Sequence, residues 1–130
     1  MDIFATYATD ESKEENGVWM ELGDAKLLIA RSGNPKYTKI FEAAYKKNKR
    51  LLDRADEAAD ELAKKLFIDA TARSVLLGWE NVSFQGQPMT YSVENAKILL
   101  GHKDFYNEVT KMSQDLTAYK MVQDEDVEKN

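Results

Sequence analysis

His102 is the only histidine in the 130 residues and there is no cysteine, which removes thiolate zinc sites and Cys–His nucleophile pairs from the start. The histidine stands beside Gly101, where a helix is expected to end. A capping or solvent-facing role fits it better than a ligand or a base, since those need convergent partners. The six glycines are never closer than six residues, so neither GxGxxG nor a P-loop is present, and GxSxG is missing too. The 23 acidic residues are spread along the chain, and no carboxylate pair is singled out for acid–base work. Asn81-Val82-Ser83 matches a glycosylation acceptor, but no secretory signal accompanies it and the match reads as accidental. Catalysis and bound cofactors or metals are therefore not expected, and what remains is the chemistry of contact. Phe84 and Met89, with Tyr91 beside them, stand in a polar loop with Gly86 and Pro88. They are candidates for an exposed partner contact, because aromatics and methionine are enriched at interfaces; Trp79, just ahead, reads as core. Lys46, Lys47, Lys49 and Arg50, with Arg54, form a basic group that suits phosphates or an acidic protein, against the plainer reading of a solvated helix face.

Helices must hold these residues. Asn34-Pro35 is a helix start, with asparagine as N-cap and proline at the first position, where its missing N–H costs nothing. Tyr37, Ile40, Phe41, Ala44, Tyr45, Asn48, Leu51 and Leu52 then recur every three or four residues, with the basic group on the opposite face. The pattern runs on through Ala59, Leu62, Leu66 and Phe67 to Leu77 without a glycine or proline. One helix of that length is far outside the usual range, so a break is expected near Asp53–Asp56, where an aspartate can cap. Gly78 is expected to close the helix that ends at Leu76–Leu77. Ser92 caps a two-turn helix that Gly101 stops, and Lys103-Asp104 opens a last one whose seam is Phe105, Val109, Met112, Leu116 and Tyr119. Ahead of all these, Val18, Met20 and Leu22 alternate with Trp19 and Glu21, and with the run Lys26–Ala30 they predict a hairpin around Gly23-Asp24.

The net charge of −5 sits in the ends: residues 1–16 carry −4, residues 124–130 carry −3, and the middle is +2. Residues 1–16 are expected to be a flexible acidic arm, 17–122 a single helical domain, and 123–130 a disordered acidic tail. The expected fold is mainly α, a compact helical domain with a small N-terminal β-hairpin. No apolar run is long enough to span a membrane and the N-terminus has no basic and apolar leader, so a soluble intracellular protein is expected, with neither nucleic acid nor membrane as its partner.

Four stretches in order resemble the tail assembly chaperones of long-tailed, siphovirus-type bacteriophages and their prophages. They are Gly17-Val18-Trp19, Ala30-Arg31 with Gly33-Asn34-Pro35-Lys36-Tyr37, Leu76-Leu77-Gly78-Trp79-Glu80-Asn81-Val82, and Tyr91-Ser92-Val93-Glu94-Asn95-Ala96. The resemblance implies a non-catalytic protein in the cytoplasm of the bacterial host. Such a chaperone binds the long helical tape measure protein, keeps it soluble and promotes tail-tube assembly around it. It also implies contacts with the tail-tube protein, a frameshifted longer form of the chain itself, and a homo-oligomer as a further possibility. The residues alone leave another class open, a small acidic phage-encoded regulator or inhibitor acting by protein–protein contact. A small enzyme using surface carboxylates would require a pocket that gathers two acids with shifted pKa values.

Overall fold

The computed structural model describes residues 1–121; the tail 123–130, expected to be disordered, lies outside the described residues. In chain order the elements begin with two short helices, α1 (Ile3–Thr6) and α2 (Glu11–Asn16). Asp2 and Asp10 cap them, each accepting a backbone N–H within the first turn. Residues 1–16, expected as a flexible acidic arm, are thus helical in two places, and the second is fastened to the body. The Asp10 N–H donates to the Tyr119 carbonyl at 2.8 Å, and the Arg31 N–H donates to the Glu14 carbonyl at 2.8 Å. Gly17 follows with φ +89°, and a Cβ there would lie 3.0 Å from the Leu28 side chain, so glycine alone fits this approach.

Strands β1 (Val18–Leu22) and β2 (Ala25–Ile29) pair antiparallel around Gly23-Asp24, with Trp19 opposite Leu28 and Met20 opposite Leu27. Then come α3 (Pro35–Leu52) and α4 (Glu57–Ser74), with the chain broken at Asp53–Asp56. Asp56 caps α4 by accepting the Ala59 N–H at 2.9 Å, and Ala55 takes a left-handed φ of +53° to make the bend. Asn34 joins the pair at its base. Its side-chain oxygen accepts the Tyr37 N–H at 3.0 Å, while its amide donates to the Arg31 carbonyl at 2.8 Å and the Ser74 carbonyl at 2.9 Å.

The expectation of a mainly α domain is overturned here. Helix α4 stops at Ser74, and Leu76–Glu80 is a strand, β3, which pairs antiparallel with β2 so that the sheet has three strands in the order β1-β2-β3. Gly78 lies inside this strand, opposite Leu28, instead of closing a helix. The fold is mixed α/β, and β2 is its central strand. The physical reason is that Leu76-Leu77 is a short apolar run that fits either period, and the partner that decides it, β2, lies far back in the chain.

After β3 a two-stranded hairpin, β4 (Ser83–Phe84) and β5 (Gln87–Pro88), leads to α5 (Val93–Leu100) and α6 (Lys103–Ser113). The last helix is also shorter than its apolar seam: α6 ends at Ser113, and a separate 3₁₀ turn, Leu116–Tyr119, is capped by Asp115. Leu27, Ile29, Leu76, Leu100, Val109 and Tyr119 are fully buried between the sheet and these helices. The Tyr119 hydroxyl donates to the Ile29 carbonyl at 2.9 Å, which ties the chain's end to the central strand.

Candidate protein-binding surface

The β4–β5 hairpin turns on Gln85 and Gly86, both with positive φ (+52° and +80°), the backbone that a two-residue hairpin of right-handed twist requires. Its tip is braced from below. The Trp79 indole N–H donates to the Met89 carbonyl at 2.6 Å, and Trp79 and Tyr91 meet edge to face at 5.0 Å. The Tyr91 hydroxyl donates to the Leu76 carbonyl at 2.7 Å, and burial pushes its phenol above the ordinary range. Met89 and Tyr91 are therefore packed against the core, and Trp79 belongs to it. Only Phe84, at 38% exposed, is presented to solvent.

Lys46, Lys47, Lys49 and Arg50 all lie on the exposed side of α3. Lys49 is engaged with Asp53 through a hydrogen bond and ion pair, and Asp53 also accepts the Tyr45 hydroxyl at 3.0 Å. The bond from Lys49, then that from Tyr45, holds the Asp53 carboxyl below the usual carboxylate range. Lys46, Lys47 and Arg50 make no ion pair among the described residues. Phe84 and this basic group sit on different elements, and no hydrogen bond, ion pair or aromatic contact joins them among the described residues. The loop and the basic face are separate surfaces.

A third feature is one that sequence reasoning did not single out. Helix α3 is 18 residues long and strongly amphipathic, yet not one of its residues is buried. Its apolar side faces α4 through a ladder of rings. Tyr37 and Phe41 are parallel at 6.2 Å, and Phe41 stacks on Phe67 of α4 at 4.9 Å, with Phe67 left 40% exposed. Helix α4 also packs on α5 and β3, and Tyr37 reaches the core, but the rest of the α3 stripe has only α4 to cover it, and its apolar residues stay half-buried. The available signal was the stripe itself, since so many apolar positions on one helix exceed what a single partner helix can cover. Among the described residues no group of three or more His, Asp or Glu side chains could hold a metal ion, and no helix is long and apolar enough to cross a membrane.

The family model described as YdaY prophage protein matches residues 32–130, which takes in the α3–α4 pair, β3, the β4–β5 hairpin and everything after. The chain belongs to the YdaY prophage protein family. It is thus a prophage-derived protein, and the surfaces described above all fall inside the span that defines YdaY. Neither the curated proteins nor the solved structures yield a match to it.

Proposed function

We propose that this YdaY-family chain is a non-catalytic tail assembly chaperone, which binds the phage tape measure protein, keeps it soluble and promotes tail-tube assembly around it. The observation that carries the reading is α3, an amphipathic helix with no buried residue, beside the exposed Phe67 ring. A tape measure protein is expected to be a long amphipathic helix that self-associates when bare. A protein that covers it reversibly needs an open apolar face rimmed by charge, the helix-against-groove mode of recognition. The α3–α4 pair supplies a partly open apolar face, and on the other side of α3 Lys46, Lys47 and Arg50, which make no ion pair among the described residues, offer a separate contact for acidic positions of the partner. Phe84 is a second, separate anchor, held rigidly by the Trp79–Met89 bond beneath it. The prophage family supports a phage setting for the partner.

Co-expression with the tape measure protein of the same prophage tests this. The tape measure protein should be soluble and co-purify only when the chain is present. Reversing Lys46, Lys47 and Arg50 to glutamate should weaken the complex while leaving the fold intact, because none of the three is paired among the described residues; Lys49 is left alone because it holds Asp53. Phe84→Ala should cost about 1–2 kcal/mol of binding. Recovery of the chain on a host enzyme, with the tape measure protein left insoluble, would favour the regulator reading instead.

A further inference from the structure

Where α4 passes the junction of α5 and α6 there is a groove of about 390 Å³. Phe67, Ile68, Leu100 and Tyr106 give it an apolar lining, Lys64 and Lys103 are its only charged residues, and no carboxylate lines it. Leu100 is fully buried and Phe67 is 40% exposed. Through Phe67 the groove is continuous with the Phe41–Phe67 stack and so with the open side of the α3–α4 pair. The first turn of α6 also lies here; its N-cap residue, His102, makes no side-chain capping bond, and Asp104 in that turn offsets the helix start's partial positive charge. Lys64 shares its charge with Glu61 at 3.8 Å on the exposed side of α4, while Lys103 makes no ion pair among the described residues; an apolar trough whose lining carries two cations and no carboxylate complements one kind of occupant.

We infer that this groove seats an amphipathic helix whose large apolar side chains at positions i, i+3 or i+4, and i+7 enter between Phe67, Ile68 and Tyr106, with glutamates or aspartates flanking them to meet Lys64 and Lys103. A second copy of this chain fits poorly by its longest exposed amphipathic helix, because α3 is flanked by lysines and arginine and would bring like charge to the groove. The proposal rests on the chaperone reading only for the source of the helix, which is then an acidic amphipathic segment of the tape measure protein. The chemistry of the groove is independent of that source.

The probe is a fluorescently labelled 20-residue designed helix with leucines at those spacings and flanking glutamates, set against a counterpart with lysines in their place, each titrated into the full chain by fluorescence anisotropy. The glutamate helix should bind at least tenfold more tightly than the lysine helix, and its affinity should fall as salt rises. Lys64→Glu with Lys103→Glu should reverse the preference, and both positions are exposed, so circular dichroism should be unchanged. Phe67→Ala should weaken both helices. Equal binding of the two helices, or an unchanged preference in the double variant, overturns the assignment. So does a wild-type dimer in sedimentation velocity that Phe67→Ala dissociates, because a second copy then owns the groove. If the double variant still keeps the tape measure protein soluble, the groove assignment falls and the chaperone reading stands. If the wild type prefers the glutamate helix but leaves the tape measure protein insoluble, the chaperone reading falls and the groove assignment stands.

Discussion

In the sheet and the helices behind it, Leu27, Ile29, Leu76, Leu100, Val109 and Tyr119 are each 1% exposed or less. The α3–α4 pair fully buries no residue of α3, whose apolar side chains stay half-buried, and on α4 it buries only Ala59 and the small residues near the end that meets the body. The two regions differ in what their apolar residues achieve. In the body, Leu27 and Ile29 alternate along β2 and, with Leu76 of β3 across a register shift, lie between sheet and helices, where their burial is complete. In the pair, a helical stripe meets one partner helix and the rest of it faces water. An apolar period thus reports which side of an element is sticky and says nothing about whether the same chain covers it. Where the surplus is large, it marks a surface that another molecule can use.

The sharpest way to break this comparison is to truncate one side chain in each region. Leu76→Ala should cost about 3–4 kcal/mol in urea unfolding, as expected for a fully buried leucine, whereas Ile40→Ala in α3 should cost about 1 kcal/mol or less. Equal losses would mean that the pair is closed in solution. At the joint between the regions, Asn34→Ala removes the α3 cap and orphans the Ser74 carbonyl, while the Arg31 carbonyl keeps the backbone N–H of residue 34, and it should cost about 2 kcal/mol.

A smaller effect separates the body by pH. Burial, opposed by the nearby Arg31 charge, pushes the Tyr119 phenol well above its ordinary value of 10.0. A folded-state value above the unfolded one gives stability that is fully present below about pH 10 and is lost as pH rises through the folded value. Alkaline unfolding should therefore bring Tyr119 ionisation with it, read by absorbance at the phenolate band. Tyr119→Phe should flatten that alkaline limb while costing about 1 kcal/mol at neutral pH, through the lost bond to Ile29. The smallest expected effect is a gain. Ala55 sits at a left-handed φ of +53° in the α3–α4 bend, so Ala55→Gly should stabilise by about 0.5 kcal/mol, seen as a slightly raised melting temperature.

Features that close within a few residues were legible in the sequence. Asn34, Asp56 and Ser92 each accept an N–H three residues on, so the starts of α3, α4 and α5 could be read locally. The β1–β2 hairpin was equally local. What failed needed distant partners. Leu76-Leu77-Gly78-Trp79 became a strand because Leu27 and Leu28 lie beside it, and the acidic N-terminal segment is fastened because Asp10 and Glu14 meet Tyr119 and Arg31. The seam from Phe105 to Tyr119 was split by Asp115, whose carboxylate accepts the Thr117 N–H and starts a new turn. At the candidate surface, a glycine and proline loop correctly placed Phe84 in solvent. Met89 and Tyr91 turned inward because Trp79 and the Leu76 carbonyl bind them, contacts that no spacing reveals. The groove gathers α4 with the α5–α6 junction and was out of reach of any linear motif.

Hydrogen–deuterium exchange of the chain, alone and with the tape measure protein, locates the face that meets the partner. Backbone amides in buried strands already exchange slowly, so an added partner should change them little. Protection should rise along α3 and the Glu57–Ile68 part of α4, with β2 and β3 unaltered. Protection that rises only at the β4–β5 hairpin, or nowhere, would contradict the account that the open face of α3–α4 is what this chain uses to hold its partner.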